Sequence, residues 1–179
     1  MNKSEIRKKI LEIRKLNSGR NFKISLKFLL KILKRSKING KNIGGYYPYN
    51  YEVDTIKILN EFEKLNYQIL LPKIKKNFKM DFFQWSSSNP LIVNKYGIPE
   101  PTSVKVRYPD ILLVPLVAFD KYLYRIGYGG GFYDRYIKRL KNKKNIITIG
   151  LAYSFQKIKK VPINKYDIQL DFVVTNKDN

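Results

Sequence analysis

Residues 111–119 read ILLVPLVAF, an apolar run without a polar break, closed by Asp110 before it and Asp120 after it. A strand with one wet face alternates polar and apolar residues, whereas a strand covered on both faces reads as a continuous run, as DILLVP (110–115) does. The run is far short of the roughly 20 residues that a membrane-spanning helix needs. It therefore calls for a sheet with helices packed above and below it.

The flanking segments supply those helices. Residues 3–16 carry Ile6, Ile10 and Ile13 at helical spacing, and Asn2 with Glu5 forms the pattern of a capping box. Residues 21–36 predict a second helix with Phe22, Leu26, Leu29 and Leu33 on one face, ended by Asn39 and Gly40. A third spans 52–65, its buried stripe either Ile56, Leu59 and Phe62 or Ile58, Phe62 and Leu65. Between them, IGGYYPY (43–49) reads as a short strand running into a loop. YQILLP (67–72) and KMDFFQW (79–85) read as strands. NKYGIPEP (94–101) reads as a loop by its glycine and prolines. After the apolar run come a glycine-rich bend, a helix over about 131–140, and the strands NIITIGLAY and QLDFVVT. This alternation predicts a single α/β domain over 1–179, three-layered, with a largely parallel central sheet and helices on both faces. No internal repeat, linker or low-complexity tract divides it.

Composition narrows the chemistry. The chain has no cysteine and no histidine, which excludes disulfides, thiolate zinc sites and the commonest general base. Proton work is left to Asp, Glu, Lys, Tyr or a substrate. The N-terminus alternates charges with isoleucines and shows no secretory block, so a cytoplasmic protein is expected. A formal charge of +22 raises nucleic-acid binding as one reading. Yet the lysines are spread along the whole chain among many Ile and Asn, and no segment stands out as basic. Compositional drift, with mild steering of anionic small molecules, is the favoured reading.

The densest local signal is RIGYGGGFYDRYI, residues 125–137, in which Gly127, Gly129, Gly130 and Gly131 crowd the entry to a helix. Successive glycine N–H groups at a helix start make an anion cradle, and the helix dipole adds to it. The usual phosphate motifs do not fit. Phe132 stands where a dinucleotide fingerprint needs glycine, and no Gly-Lys-Ser/Thr follows. In a parallel sheet, ligands sit beyond the carboxyl ends of strands. Both YYPYNYE (46–52) and the bend lie at such ends, so they are expected to face one site.

With its context, the bend resembles the signature of the 5-formyltetrahydrofolate cyclo-ligase family (methenyltetrahydrofolate synthetases). There a strand ending in Pro and Phe-Asp precedes an Arg–apolar–Gly–x–Gly–x–Gly–aromatic–Tyr–Asp loop. KSEIR (3–7), YYPYNYEVDT, LLPKI, MDFFQW, YGIPEP, LLVPLVAFD, IGLAYSFQ and VPINKYDIQLDFVVT follow the family's order over essentially the full length. Two departures stand out. Phe132 replaces a common Tyr, and Tyr166 stands where many members carry His.

The resemblance implies an ATP-dependent ligase of one-carbon metabolism that converts 5-formyltetrahydrofolate to 5,10-methenyltetrahydrofolate. Its partners would be that folate, with or without a polyglutamate tail, and ATP with Mg²⁺, with no membrane and no specific nucleic acid; the enzyme is expected to be a monomer. The implied nucleotide contacts are Lys3, Arg7, Arg125, Gly127, Tyr128, Gly129, Gly130, Gly131 and Tyr133. Tyr47, Glu52, Tyr128, Phe132 and Tyr133 would hold the folate, and Asp134 with Asp167 the metal; no residue is singled out as catalytic. Read without the family, Lys3 and Arg7 are solvated charges one helical turn apart, Arg125 pairs with Asp120, Asp134 complements a helix dipole, and Glu52 opens the third helix. Trp85 and Met80 read as core. The competing classes are an RNA-binding or regulatory protein on the same domain, and a sugar-phosphate isomerase or acyl-CoA transferase of similar topology.

If drift and steering account for the charge, RNA binding should be weak and collapse between low and physiological salt in a filter-binding titration. A sequence-selective RNA complex that survives moderate salt would contradict this.

Overall fold

The computed structural model describes residues 1–20 and 22–178. The elements run α1 (Lys3–Leu16), α2 (Leu26–Ser36), β1 (Asn42–Gly44), α3 (Thr55–Lys64), β2 (Gln68–Ile74) and β3 (Met80–Trp85). They continue with β4 (Leu91–Val93), β5 (Pro99–Pro101), β6 (Ile111–Pro115), β7 (Ala118–Phe119), β8 (Arg125–Ile126), α4 (Phe132–Lys141), β9 (Ile147–Ala152) and β10 (Phe172–Thr175). Six strands make the central sheet in the order β10-β9-β6-β1-β2-β3. All neighbours are parallel except β3, which pairs antiparallel with β2 at the edge. The layered, largely parallel α/β architecture expected from the sequence is the one observed.

The apolar run explains the layering. In β6 and β2 successive side chains face opposite layers. Ile111 and Leu113, with Ile69 and Leu71, pack beneath α2 and α3 through Leu29, Leu33, Leu59 and Phe62. Leu112 and Val114, with Leu70, pack against Tyr136, Ile137 and Leu140 of α4. The smallest cluster seats α1 through Ile6 and Ile10 on Val117, Ala118, Ile126 and Val161. That last contact carries α1 across the carboxyl ends of the parallel strands.

Caps set the helix starts. Asn2 accepts from the N–H groups of Ser4 and Glu5 while Glu5 reaches back to the Asn2 N–H, completing the box that the sequence predicts. The second helix begins at Leu26, because Ser25 caps it by accepting from the Phe28 N–H; it ends at Lys37 in a left-handed turn, before Asn39. Phe22 lies outside the helix against Tyr153 and Phe155, and the expected start at Asn21 falls outside the described residues. Asp54 occupies the cap position of α3, which shortens the expected 52–65 helix and leaves Glu52 in the loop before it. The buried stripe of α3 merges the two alternatives as Thr55, Ile58, Leu59 and Phe62, and Leu65 is exposed.

The stretch read as a loop at 94–101 is half of a hairpin, in which Val93 pairs with Pro99 and Leu91 with Pro101. Proline is tolerated on such a two-stranded edge, where the missing N–H faces away from the ladder. Trp85 and Met80 are buried as expected. Gly150 in β9 is a point of close approach: a Cβ there would lie 2.7 Å from Leu116 Cδ2 and 2.8 Å from Leu170 Cδ1. Both leucines are buried, so Gly150→Ala should lower stability by about 1–3 kcal/mol through overpacking. Urea unfolding tests this, and an unchanged midpoint would mean that the leucines repack freely.

Candidate active site

Beyond the carboxyl ends of β1, β2 and β6 lies a cleft of about 1130 Å³, walled by α1, the segment after β1, the β4–β5 hairpin, the glycine bend and residues 164–168. Its size lies above the usual range of roughly 300–1,000 Å³ for a small-molecule site. Lys3, Arg7, Tyr47, Glu52, Arg125, Asp134, Asp167 and the whole stretch from Gly127 to Tyr133 line it. The structure therefore brings every sequence-predicted site residue to one cavity.

The bend is built by glycine where the backbone requires it. Gly129 has φ +105° and Gly131, the residue before α4, has φ +63°. At Gly130 a Cβ would meet the Phe132 ring at 2.6 Å. Among the described residues, the N–H groups of residues 128–131 find no hydrogen-bond acceptor. Open N–H groups at a helix entry, with Arg7 Nε bound to the Gly127 carbonyl at 2.8 Å, form a positive cradle.

Arg125 does not pair with Asp120. Asp120 turns its carboxylate on the backbone N–H groups of Tyr122, Tyr124 and Val161. Arg125 is instead buried and donates to Asp134 Oδ1 at 2.9 Å and to the Ile168 carbonyl at 3.0 Å. Burial pulls the Arg125 guanidinium below its usual range, and the Asp134 charge opposes that pull. Asp134 is thus more than a dipole complement: Oδ1 also accepts from the Ile168 N–H at 3.1 Å. Asp167 Oδ2 accepts from Lys3 Nζ at 2.5 Å and from the Asn164 N–H at 2.6 Å. One oxygen of each carboxylate, Asp134 Oδ2 and Asp167 Oδ1, accepts nothing from the described residues.

The other end of the cleft holds unsatisfied polar groups. Glu52 is buried; Oε2 accepts from the Tyr49 N–H at 2.9 Å, and Oε1 has no partner among the described residues. Burial raises its carboxyl to about 7, while the Tyr49 N–H, the Arg14 charge and the Tyr128 hydroxyl hold it from rising further. The Tyr46 and Tyr133 hydroxyls are likewise buried without a partner. Buried polar atoms are normally paired, and unpaired ones facing a cavity are what a polar ligand edge satisfies. Phe132 lies on the outer wall, tilted against Phe78 with Arg135 over its ring; Tyr166 is exposed at the rim.

Three contributions escaped the sequence reading. Tyr46 precedes the expected Tyr47. The hairpin puts Asn94 and Glu100 on the wall, where Glu100 Oε1 accepts from Asn94 and from the Ile74 N–H. Arg14 is buried directly behind Tyr128. The signal for Arg14 was available: a cation in helical phase with Ile10 on the apolar side of α1.

An α/β fold whose cleft joins an anion-binding cradle to a polar end has the form of an enzyme that handles two ligands side by side. The family comparison makes the assignment specific: the model of the 5-formyltetrahydrofolate cyclo-ligase family matches residues 1–176, and the chain belongs to that family. A Haemophilus influenzae 5-formyltetrahydrofolate cyclo-ligase is 36% identical over 137 residues, 73% of each chain. One from Mycoplasma pneumoniae is 31% identical over 98% of this chain and 99% of its own. Among solved structures, the Aquifex aeolicus 5,10-methenyltetrahydrofolate synthetase superposes with a TM-score of 0.78 at 33% identity, covering 99% of this chain and 91% of that one. The Mycoplasma pneumoniae synthetase gives 0.74 at 28% identity, covering 99% and 100%.

Glu52 makes a stability test possible. Its folded carboxyl titrates near 7 and its ordinary value is 4.5, so between those pH values the folded state binds the extra proton. Stability of the ligand-free protein should then fall as pH rises from about 4.5 to 7 on this group's account, by roughly 3 kcal/mol in all. Glu52→Gln should remove that loss and be more stable than the parent at pH 8. Equal or lower stability of the Gln variant at pH 8 would contradict the burial cost.

Proposed function

We propose that this protein closes 5-formyltetrahydrofolate to 5,10-methenyltetrahydrofolate, driven by ATP, with both substrates in the one cleft. The single observation that carries the reading is the pairing, within that cleft, of an open N–H cradle at the bend with the unsatisfied acid Glu52. A triphosphate suits the first, and the polar edge of a pterin the second.

A formamide resists attack because its carbon is resonance-stabilised and its oxygen leaves poorly. In the proposed reaction the formyl oxygen attacks the γ-phosphorus, and the bond from that phosphorus to ADP breaks. The bridge nitrogen then adds to the activated carbon and gives up its proton. Cleavage of the carbon–oxygen bond releases phosphate. The work is positioning and charge stabilisation, which suits a chain without His or Cys. Lys3, Arg7 and the N–H groups of Tyr128, Gly129, Gly130 and Gly131 would hold the phosphates, with Gly127 carrying Arg7 and Arg125 fixing the bend from behind. Tyr47, Glu52, Tyr128 and Tyr133 would hold the folate, with Phe132 at the rim.

Among the described residues no three acidic side chains cluster as a ready metal cage. Mg²⁺ does not require one, since it is commonly held by one or two carboxylates plus substrate phosphates. The open oxygens of Asp134 and Asp167 fit that donor set. Magnesium held there would supply charge neutralisation at the transferring phosphoryl group. No helix among the described residues is long and apolar enough to cross a membrane. The reading further takes the protein to be a cytoplasmic monomer without a specific nucleic-acid partner.

Purified protein should generate methenyl absorbance from 5-formyltetrahydrofolate only with ATP and magnesium together. Asp134→Asn keeps an acceptor for Arg125 and Ile168 but loses the charge, and its kcat should drop by roughly 10²–10³. Absence of turnover by folded parent protein would defeat the proposal, and near-normal kcat in the variant at low magnesium would defeat the metal role.

A further inference from the structure

Lys3, Arg7, Ile10 and Arg14 fall within about 60° of one another around α1, so they form one stripe some 16 Å long at 1.5 Å per residue. Lys3 and Arg7 end in the phosphate half of the cleft. Arg14 ends behind the other half, with 1% of its surface exposed and outside the cavity lining. Its Nη2 donates to the Leu116 carbonyl at 2.5 Å, and its Nη1 donates to the Tyr128 hydroxyl at 2.8 Å and reaches the Asn50 carbonyl at 3.4 Å. Tyr128 in turn donates to the Tyr49 carbonyl at 3.3 Å, and the two rings meet edge to face. Arg14 thus ties the bend to the 49–52 loop that carries Glu52. No carboxylate lies within ion-pair distance of it among the described residues.

A buried cation without a bonded counter-ion is costly, and stability alone does not call for a charge on this helix face. The groups facing Glu52 are Arg14 from α1, Tyr46 and Tyr49 after β1, Tyr128 from the bend, Tyr133 from α4 and Tyr153 after β9. Only Arg14 among them is a cation.

We propose that Arg14 is a positioning residue for the folate half of the cleft: it clamps Tyr128 to the 49–52 loop and places a positive charge behind the wall that carries Glu52. The inference rests on the assignment of Glu52 to the folate. Arg14 never touches substrate, and acts through Tyr128 and Glu52. Charge and clamp are separable, because lysine preserves the first and loses the fork that makes the second.

The test is the pH profile of kcat/KM for 5-formyltetrahydrofolate, with saturating Mg-ATP, in the parent protein, Arg14→Met and Arg14→Lys. The parent should lose efficiency below an acid limb near pH 7. Arg14→Met should raise the folate KM at least 10-fold, leave the ATP KM within about threefold, and move the limb up by at least half a pH unit. Arg14→Lys should return the limb toward the parent position while recovering only part of the folate KM. A folded Arg14→Met with the parent's limb, or with ATP and folate constants moving together, would overturn the inference. Should Arg14→Met fail to fold, Tyr128→Phe takes its place: it removes the clamped hydroxyl without a buried vacancy, and should also move the limb upward. An unmoved limb there overturns the inference equally. No turnover by the parent overturns the functional reading itself, a result distinct from any of these.

Discussion

The buried Arg125 is the tie on which the cleft depends. Through Asp134 and the Ile168 carbonyl it joins β8, the first turn of α4 and the chain returning toward β10. Asp134 closes the ring by accepting from the Ile168 N–H, and one residue back Asp167 grips Lys3 of α1. The two flanks of the glycine bend are thereby fixed to α1 and to the chain before β10, both far away in sequence. Burying the guanidinium costs desolvation energy that Asp134 offsets, so removing either partner would leave an uncompensated charge. The geometry that presents open N–H groups to the cleft follows from this arrangement.

At the opposite end the structure buries polar groups without partners among the described residues. Glu52 sits where its charged form is disfavoured, with one oxygen unpaired beside two orphaned tyrosine hydroxyls. A ligand with a polar edge lying against that wall would satisfy these groups. Helix α1 lies along both halves, so the element that puts Lys3 and Arg7 on the cavity lining also carries the buried Arg14 behind Tyr128.

Much of this was legible in the sequence, for identifiable reasons. The DILLVP run at 110–115 required layers on both faces, and the glycines with their aromatic and acidic followers pointed to a site at a strand end. What was lost depended on tertiary partners. Arg125 has acids nearby at positions 120 and 134, and only the fold shows that Asp120 is spent on backbone N–H groups. The prolines of 99–101 read as breakers because pairing with β4 is not a local property. Arg14 shares its helical phase with Ile10, but that phase alone does not reveal that Tyr128 and Leu116 close over it. Ser25 and Asp54 set the helix starts by capping, later than the expected 21 and 52, because a cap side chain bonded to the first-turn N–H groups outweighs an apolar or acidic residue just before it.

In the proposed reaction one cleft brings the formyl oxygen to the γ-phosphate. Oxygen-18 placed in the formyl group of 5-formyltetrahydrofolate tests it most directly, with the released phosphate analysed by mass spectrometry after a single turnover in unlabelled water. The account expects one labelled oxygen in each phosphate released. Unlabelled phosphate, formed while methenyltetrahydrofolate accumulates, would show that the oxygen departs by another route and would contradict the shared-cleft mechanism.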